Sequence, residues 1–272
     1  MSRKRHTPRD EPYFAIRTAT GSSVDGTEIA AHSHPWGQLI YAISGVLTVW
    51  TSEGSWVAPS GWAIWAPPGV RHSIRFSGAA DLRTLYIDPA LSGLPTRSVV
   101  ITVSPLLREL VVRAVNIGML DRRDALHLAM TTVILSEIRE RATASLELPQ
   151  PTDARLIRVA QAILASPAER QPQRALARQF GLGIRALERG FVKETGLALG
   201  QWRRQARFLH AIRRLGAGIP VKAAALDAGY HSASAFIAAF RGAFHTTPAR
   251  YFLDPVAVKT SPDSRRTTPP TT

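Results

Sequence analysis

From Tyr13 to Ile87 apolar and polar residues change places every one or two positions, in short runs broken by Gly, Pro or Ser. The runs Tyr13–Thr18, Thr27–Ala31, Gln38–Ser44, Val46–Thr51, Ser55–Ala58, Ala63–Ala66, Arg71–Phe76 and Leu82–Ile87 predict strands. Many short strands at close spacing predict a sandwich or a small barrel. Further on the period lengthens to that of a helix, over Pro105–Met119 and Arg123–Arg141. In the first of these, Leu106, Leu110, Val111 and Ala114 form one apolar face, suited to the barrel or to a second subunit. After Asp153 the pattern predicts helices over Ala154–Ala165, Arg174–Phe180, Ile184–Thr195, Leu199–Leu215, Val221–Ala228 and Ala233–Gly242. Leu187 pairs with Phe191, and Trp202, Ala206, Leu209, Ile212 and Leu215 follow one another along one face.

These changes of period predict a multidomain α+β chain. A strand-rich domain over 11–90 precedes a helical, dimerising segment over 104–145. The Pro-containing stretch 146–153 is a linker to an all-α domain over 154–252. Residues 1–10 and 257–272 have the composition of disordered tails. The 272 residues carry a net charge of +14, and its distribution changes the picture. Residues 1–150 hold 15 basic and 13 acidic side chains, whereas 151–272 hold 19 basic and 7 acidic. The excess therefore belongs to the helical domain, as expected of a module that meets a phosphate backbone. There is no cysteine, which excludes disulfides, thiolate metal sites and a cysteine nucleophile. No long uncharged apolar run and no leader-like start is present, so a cytoplasmic protein with no membrane association is expected.

Two helix pairs in the basic domain are joined by very short turns, Gly181-Leu182-Gly183 and Gly229-Tyr230-His231-Ser232. Each reads as a helix-turn-helix, with a long helix carrying Arg203, Arg204, Arg207, Arg213 and Arg214 between them. Two reading helices on one chain suit consecutive major grooves, about 34 Å apart on one face of B-DNA. The stretches LARQFGLGIRALERGFVKETG (176–196), WRRQARFLHAIRRL and GYHSASAFIAAFRGAFHTTPARYF (229–252) resemble the AraC/XylS family of bacterial transcription regulators over roughly 100 positions.

The resemblance implies two helix-turn-helix units that bind DNA. By position, Arg185, Glu188 and Arg189 of the first reading helix face base edges or phosphates while Leu187 and Phe191 face the core. Arginine suits guanine O6/N7, and Glu188 suits a cytosine amino group. Gly183 stands where the family usually has a capping Ser, so that helix begins without a side-chain cap. The second reading helix is bare, with Ala233, Ser234, Ala235, Ile237 and Ala238 at the reading positions. The first unit is therefore expected to supply most specificity. The second docks through His231, Ser232, Ser234 and Arg241, and Arg203 and Arg207 of the joining helix are counted among the DNA contacts.

In the strand-rich domain His32 and His34 share one face of an extended chain, Gln38 follows, and His72 lies beyond Gly61, Pro67 and Gly69. HSHPWGQLIYAISG and GWAIWAPPGVRH resemble the two cupin motifs, which implies a cupin-like β-barrel with the three His converging on a divalent ion. Gln38 replaces the usual Glu, and a neutral amide is a weaker ligand. Three readings of the histidines stand side by side: the lining of a small-ligand pocket, a metal site, or catalytic metal chemistry. Nothing supplies a clear acid–base pair, so no catalytic residue is assigned. The favoured expectation is a sequence-specific transcription regulator that senses a small molecule or metal ion. It binds double-stranded DNA as a homodimer and contacts RNA polymerase if it activates. A metal-dependent cupin enzyme with an accessory helical domain is the alternative, and a non-specific nucleic-acid binder is a third reading.

Overall fold

A computed structural model describes residues 13–91, 93–140, 142–143, 146–244 and 246–253; the expected tails 1–10 and 257–272 lie outside the described residues. The first part runs β1 (Phe14–Ser23), β2 (Glu28–His32), β3 (Gly37–Ala42), β4 (Val46–Trp50), β5 (Gly54–Pro59), β6 (Trp62–Ala66), β7 (His72–Ser77), β8 (Ala80–Ile87) and β9 (Val99–Thr102). There follow α1 (Pro105–Ile117), β10 (Met119–Asp121), α2 (Ala125–Glu140), β11 (Ala142–Thr143) and β12 (Glu147–Pro149). The helical part is α3 (Ala154–Ala165), α4 (Gln173–Gln179), α5 (Ile184–Thr195), α6 (Leu199–Gly216), α7 (Val221–Asp227), α8 (Ala233–Phe244) and α9 (Pro248–Leu253). Among the described residues no helix is long and apolar enough to cross a membrane.

The strands form two antiparallel sheets, ordered β10-β1-β8-β3-β6-β9-β11 and β12-β5-β4-β7-β2. Alternation divides each strand between two environments. Leu39, Tyr41, Ala63, Trp65, Leu85 and Ile87 of the larger sheet pack outward, in one cluster with Leu107, Val111, Met130, Ile134 and Ile138 of α1 and α2. Ile40, Ala42, Ile64 and Ala66 turn inward and meet Leu47, Val49, Trp56, Ile74 and Phe76 of the smaller sheet. Both faces of β3 are thus covered, which is why Gly37–Ala42 is buried throughout. The start of α1 is built for its place: Ser104 caps it by accepting from the Leu107 amide at 3.0 Å, and Pro105 follows the cap.

Three departures from expectation have local causes. β1 continues through the polar residues Thr18–Ser23 because all of Ala80–Ile87 in β8 offers it a hydrogen-bonding partner. β9 was not anticipated, since a four-residue apolar run with no alternation carries little periodic signal. The expected linker 146–153 is partly structure: Glu147–Pro149 adds to the edge of β5 and becomes β12.

The helical part is organised around α6. Phe191 of α5 meets Trp202 edge-on with centroids 5.5 Å apart, and Phe208 lies among Tyr230, Phe236 and Phe240 of the second helix pair. α6 also lies across β12, β5, β4 and β7 of the smaller sheet, and the face that carries Trp202 meets both α5 and the barrel. The Trp202 indole donates to the Pro149 carbonyl at 2.8 Å, and the Gln205 amide donates to that of Glu147. Backbone approaches backbone at the far end of this seam. A Cβ on Gly216 would stand 2.0 Å from Cγ2 of Val46, and one on Gly78 (φ +77°) would stand 2.1 Å from the Gly216 carbonyl oxygen. Arg213 is largely buried in the same seam, and burial followed by the nearby charge of Arg75 pulls its guanidinium pKa down.

Gly216→Ala tests the seam. Alanine raises helix propensity by about 1 kcal/mol over glycine, so a loss of stability arises from the contact with Val46. Overpacking of this kind costs about 1–3 kcal/mol, read as a lower urea midpoint together with new proteolytic cleavage between Pro149 and Asp153. An unchanged midpoint would show that the two halves do not depend on this contact.

Candidate ligand site and candidate DNA-reading face

His32 and His72 are cross-strand partners where β2 and β7 end and begin, and His34 lies in the loop leading into β3. The three rings gather with centroids 4.6 to 5.7 Å apart, and one nitrogen from each lies within 4.8 Å of the others. His72 and Gln38 are buried, while His32 and His34 are half-exposed.

Each imidazole is set by a backbone carbonyl two residues away. Nδ1 of His32 donates to Ala30 at 2.9 Å, that of His34 to Trp36 at 2.6 Å, and that of His72 to Val70 at 2.9 Å. A carbonyl only accepts, so the proton of each neutral ring sits on Nδ1 and the Nε2 lone pair is left inward. Gln38 is oriented from the other side. Its amide nitrogen donates to Oγ1 of Thr84 at 2.9 Å, and Thr84 has committed its own proton to the Leu39 carbonyl at 3.0 Å. Oε1 of Gln38 then lies 2.9 Å from Nε2 of His34 and 3.0 Å from Nε2 of His72. Lone pairs face lone pairs with no proton between them, an arrangement that a cation satisfies.

Protonating His72 instead is disfavoured. Burial, reinforced by neighbouring His32 and His34, brings its pKa down to about 4. The residues therefore fit a first-row divalent ion: three neutral imidazoles, each held from behind by a backbone carbonyl, and one amide oxygen. Gln38 has another option that a Glu lacks. Rotated by 180°, its amide group donates to both imidazoles, and its oxygen accepts from Thr84 once that hydroxyl turns away from the Leu39 carbonyl, so the ion-free site is satisfied at the expense of that one bond. Thr84 is 46 positions from Gln38 and was not singled out from the sequence, because only strand pairing brings the two together.

In the helical half, α5 starts at Gly183 without a side-chain cap, as expected. Leu187 and Phe191 are buried, and Arg185, Glu188 and Arg189 are exposed on the opposite side. Gly190 is small because Leu156 of α3 packs there, with Cδ1 2.7 Å from where a Cβ would be. Arg174 and Arg178 of α4 are exposed as well and were not singled out from the sequence. In α8, Phe236 and Phe240 are buried while Ser234 and Arg241 are exposed, and His231 is exposed in the preceding turn. Ser232 accepts from the Ala235 amide at 3.1 Å, so its first task is to cap the helix. Arg203 and Arg207 are placed otherwise than expected. Arg203 donates to the carbonyls of Gln171 at 2.8 Å and Glu169 at 3.0 Å, and Arg207 donates to that of Pro167 at 3.0 Å.

Comparison with known proteins bears on both halves. The AraC-like ligand binding domain matches residues 20–148, and a helix-turn-helix domain matches 176–253. The chain is similar to the HTH-type transcriptional regulator NimR of Escherichia coli K12, 31% identical over 255 residues that cover 94% of this chain and 93% of that protein. It is also 31% identical over 104 residues to the HTH-type transcriptional regulator RipA of Corynebacterium glutamicum, covering 38% of this chain and 31% of that one. Among solved structures the chain is similar to ToxT from Vibrio cholerae, over 88% of this chain and 98% of that one, at 10% identity and a TM-score of 0.38.

His210 of α6 yields a pH prediction. Burial, then Arg213 and Arg214, lower its pKa from 6.5 to about 4, against the pull of Asp227. Between these values the unfolded chain binds a proton that the folded one refuses, so stability is complete above about 6.5 and falls as pH drops toward 4. Urea midpoints at pH 7 and pH 4.5 are expected to differ less in His210→Asn than in the parent; an equal difference would contradict the assignment.

Proposed function

The chain belongs to the AraC family of transcription regulators, and on that premise we propose that its barrel senses a divalent metal ion at His32, His34, His72 and Gln38, while Arg185, Glu188 and Arg189 read operator DNA. It is a DNA-binding regulator with a ligand-binding domain and not an enzyme, which removes the alternative of a cupin enzyme with an accessory domain.

The observation behind the metal reading is that four lone-pair donors converge, with their orientation imposed from outside by Ala30, Trp36, Val70 and Thr84. A bound ion supplies a fixed positive charge to which all four donors are complementary. His32, His72 and Gln38 belong to β2, β7 and β3, so occupancy ties the two sheets together at one end of the barrel. A ligand shifts DNA affinity only by favouring one arrangement of the protein over another, and this cross-sheet tie is the difference offered here. The rotated form of Gln38 supports a second reading, in which the imidazoles are the hydrogen-bonding wall of a pocket for a small organic molecule.

For DNA, the exposed face of α5 carries long charged side chains and that of α8 carries short ones, which supports specificity from the first unit and docking by the second through His231, Ser234 and Arg241. Leu106, Leu126, Leu128 and Val133 are exposed on α1 and α2 and support a homodimer through these helices. Action on DNA supports a cytoplasmic location.

The test is selection of bound sequences from random duplexes, with and without Zn(II), Mn(II) or Co(II), alongside equilibrium dialysis for bound ion. One ion per chain and a metal-dependent change in operator affinity are expected. His72→Ala should abolish both yet leave the selected motif unchanged. A motif with no bound ion would exclude the metal reading and leave the organic one. Arg185→Ala and Arg189→Ala should each lose about 1–3 kcal/mol of discrimination at one base position. If the motif stays intact in both, α5 is not the reader.

A further inference from the structure

Arg170, Arg203 and Arg207 spend their donors on main-chain oxygens in a way that joins the two helix-turn-helix units. The segment between α3 and α4 leads into the first unit, and three of its carbonyls are occupied. Arg203 spans those of Glu169 and Gln171 with its two terminal nitrogens, and Arg207 takes that of Pro167 through Nε. Arg170, on this same segment, reaches the other way and donates to the Gly229 carbonyl at 2.7 Å. Gly229 opens the turn before α8, has φ +79°, and rests directly on the segment: a Cβ there would stand 2.9 Å from Cα of Ala168 and 3.0 Å from its oxygen. The segment is thus held to α6 by two guanidinium groups, while the turn of the second unit is seated on it by a third and by a glycine.

The electrostatics are those of a geometric device. Arg203 and Arg207 are half-buried, and Arg207 feels the like charges of both Arg203 and Arg170. Among the described residues no carboxylate lies within salt-bridge distance of any of the three. Three cations held together by carbonyl dipoles gain little from one another. What they gain is direction, because a planar guanidinium can bind two carbonyls at a fixed angle and an ammonium cannot.

We propose that Arg170, Arg203 and Arg207 are positioning residues that set the separation of the two reading helices, and hence the base-pair spacing between the two parts of the operator that one chain recognises. Arg203 and Arg207 act on specificity without touching DNA. The inference rests on the two-unit reading of DNA given above.

The experiment uses the full chain and the motif obtained by selection, with its two parts at the selected spacing and with one base pair inserted or deleted between them. One base pair shifts the second part by about 3.4 Å and a tenth of a turn, so the parent protein should lose at least about tenfold in affinity on either change. In Arg203→Met and in Arg207→Met that penalty should shrink at least threefold, with weaker binding at the selected spacing. The salt dependence should keep its slope, whereas loss of a phosphate contact would lower it by about 0.9. Arg203→Lys, which keeps the charge and loses the fork, should behave like Arg203→Met. A merely structural role would reduce the folded fraction and leave the spacing preference alone. Rescue by Lys together with a reduced salt slope in the Met variants would make these residues phosphate contacts and overturn the proposal. An unchanged spacing penalty in both Met variants would overturn it too. A selected motif with only one part would remove this inference together with the reading it rests on.

Discussion

Helix α6 packs at once against both helix-turn-helix units and against the barrel, and the arrangement of everything else follows from that. It sets Trp202 against Phe191 and Phe208 against Phe236 and Phe240, so both helix-turn-helix units take their packing from it. It also lies on the smaller sheet of the barrel, to which Trp202 itself is bonded through Pro149. Its apolar contacts run without interruption from Ile64 and Phe76 inside the barrel, through Val46 and Val57, to Leu209, Ile212 and Phe240. A single core therefore crosses what the sequence presents as a domain boundary. Helices gain most of their stability from such packing, and a helix shared by the barrel and the reading units cannot move on one without disturbing the other.

The barrel strands give this core a chemical end. β7 alternates, with His72, Ile74 and Phe76 turned inward and Arg75 outward beside Arg213 of α6. One strand thus contributes a ring to the histidine cluster and a guanidinium to the seam with the helical half. The two ends differ in chemistry: neutral, lone-pair-rich groups gather at the cluster, whereas the seam gathers positive charge and closely apposed glycine backbone.

How much of this was legible in the sequence depends on the range of the interaction. Period-two alternation joined only His32 and His34, and it was the resemblance to the cupin motifs that implied Gln38 and His72 converge with them, as they do across the β2–β7 pairing. Neither could find Thr84, whose role depends on the β3–β8 register, nor the carbonyls that hold the rings, since every residue has one. In the helical half the exposed positions of Arg185, Glu188 and Arg189 followed from a period of 3.6. Arg203 and Arg207 did not follow. A solvent-facing arginine and one bent onto main-chain oxygens have the same place in a periodic pattern, and carbonyl and phosphate oxygens attract the same fork. The stretch Glu147–Pro149 read as a connector for a related reason: its pairing partner, β5, is far away in sequence.

That last strand limits how far the two halves can travel. With β12 paired to β5, only residues 150–152 remain between Pro149 and the capping residue Asp153 of α3. Three residues span at most roughly 10 Å. Thr152 and Asp153 are further tied, their amides donating to Glu194 of α5 at 2.7 and 2.9 Å. On so short a tether α6 meets the sheet at an effective concentration of at least the millimolar order, whatever the concentration of the protein itself. Separation of the halves is then a local opening about the barrel edge, governed by the strength of the seam and independent of how much protein the cell contains.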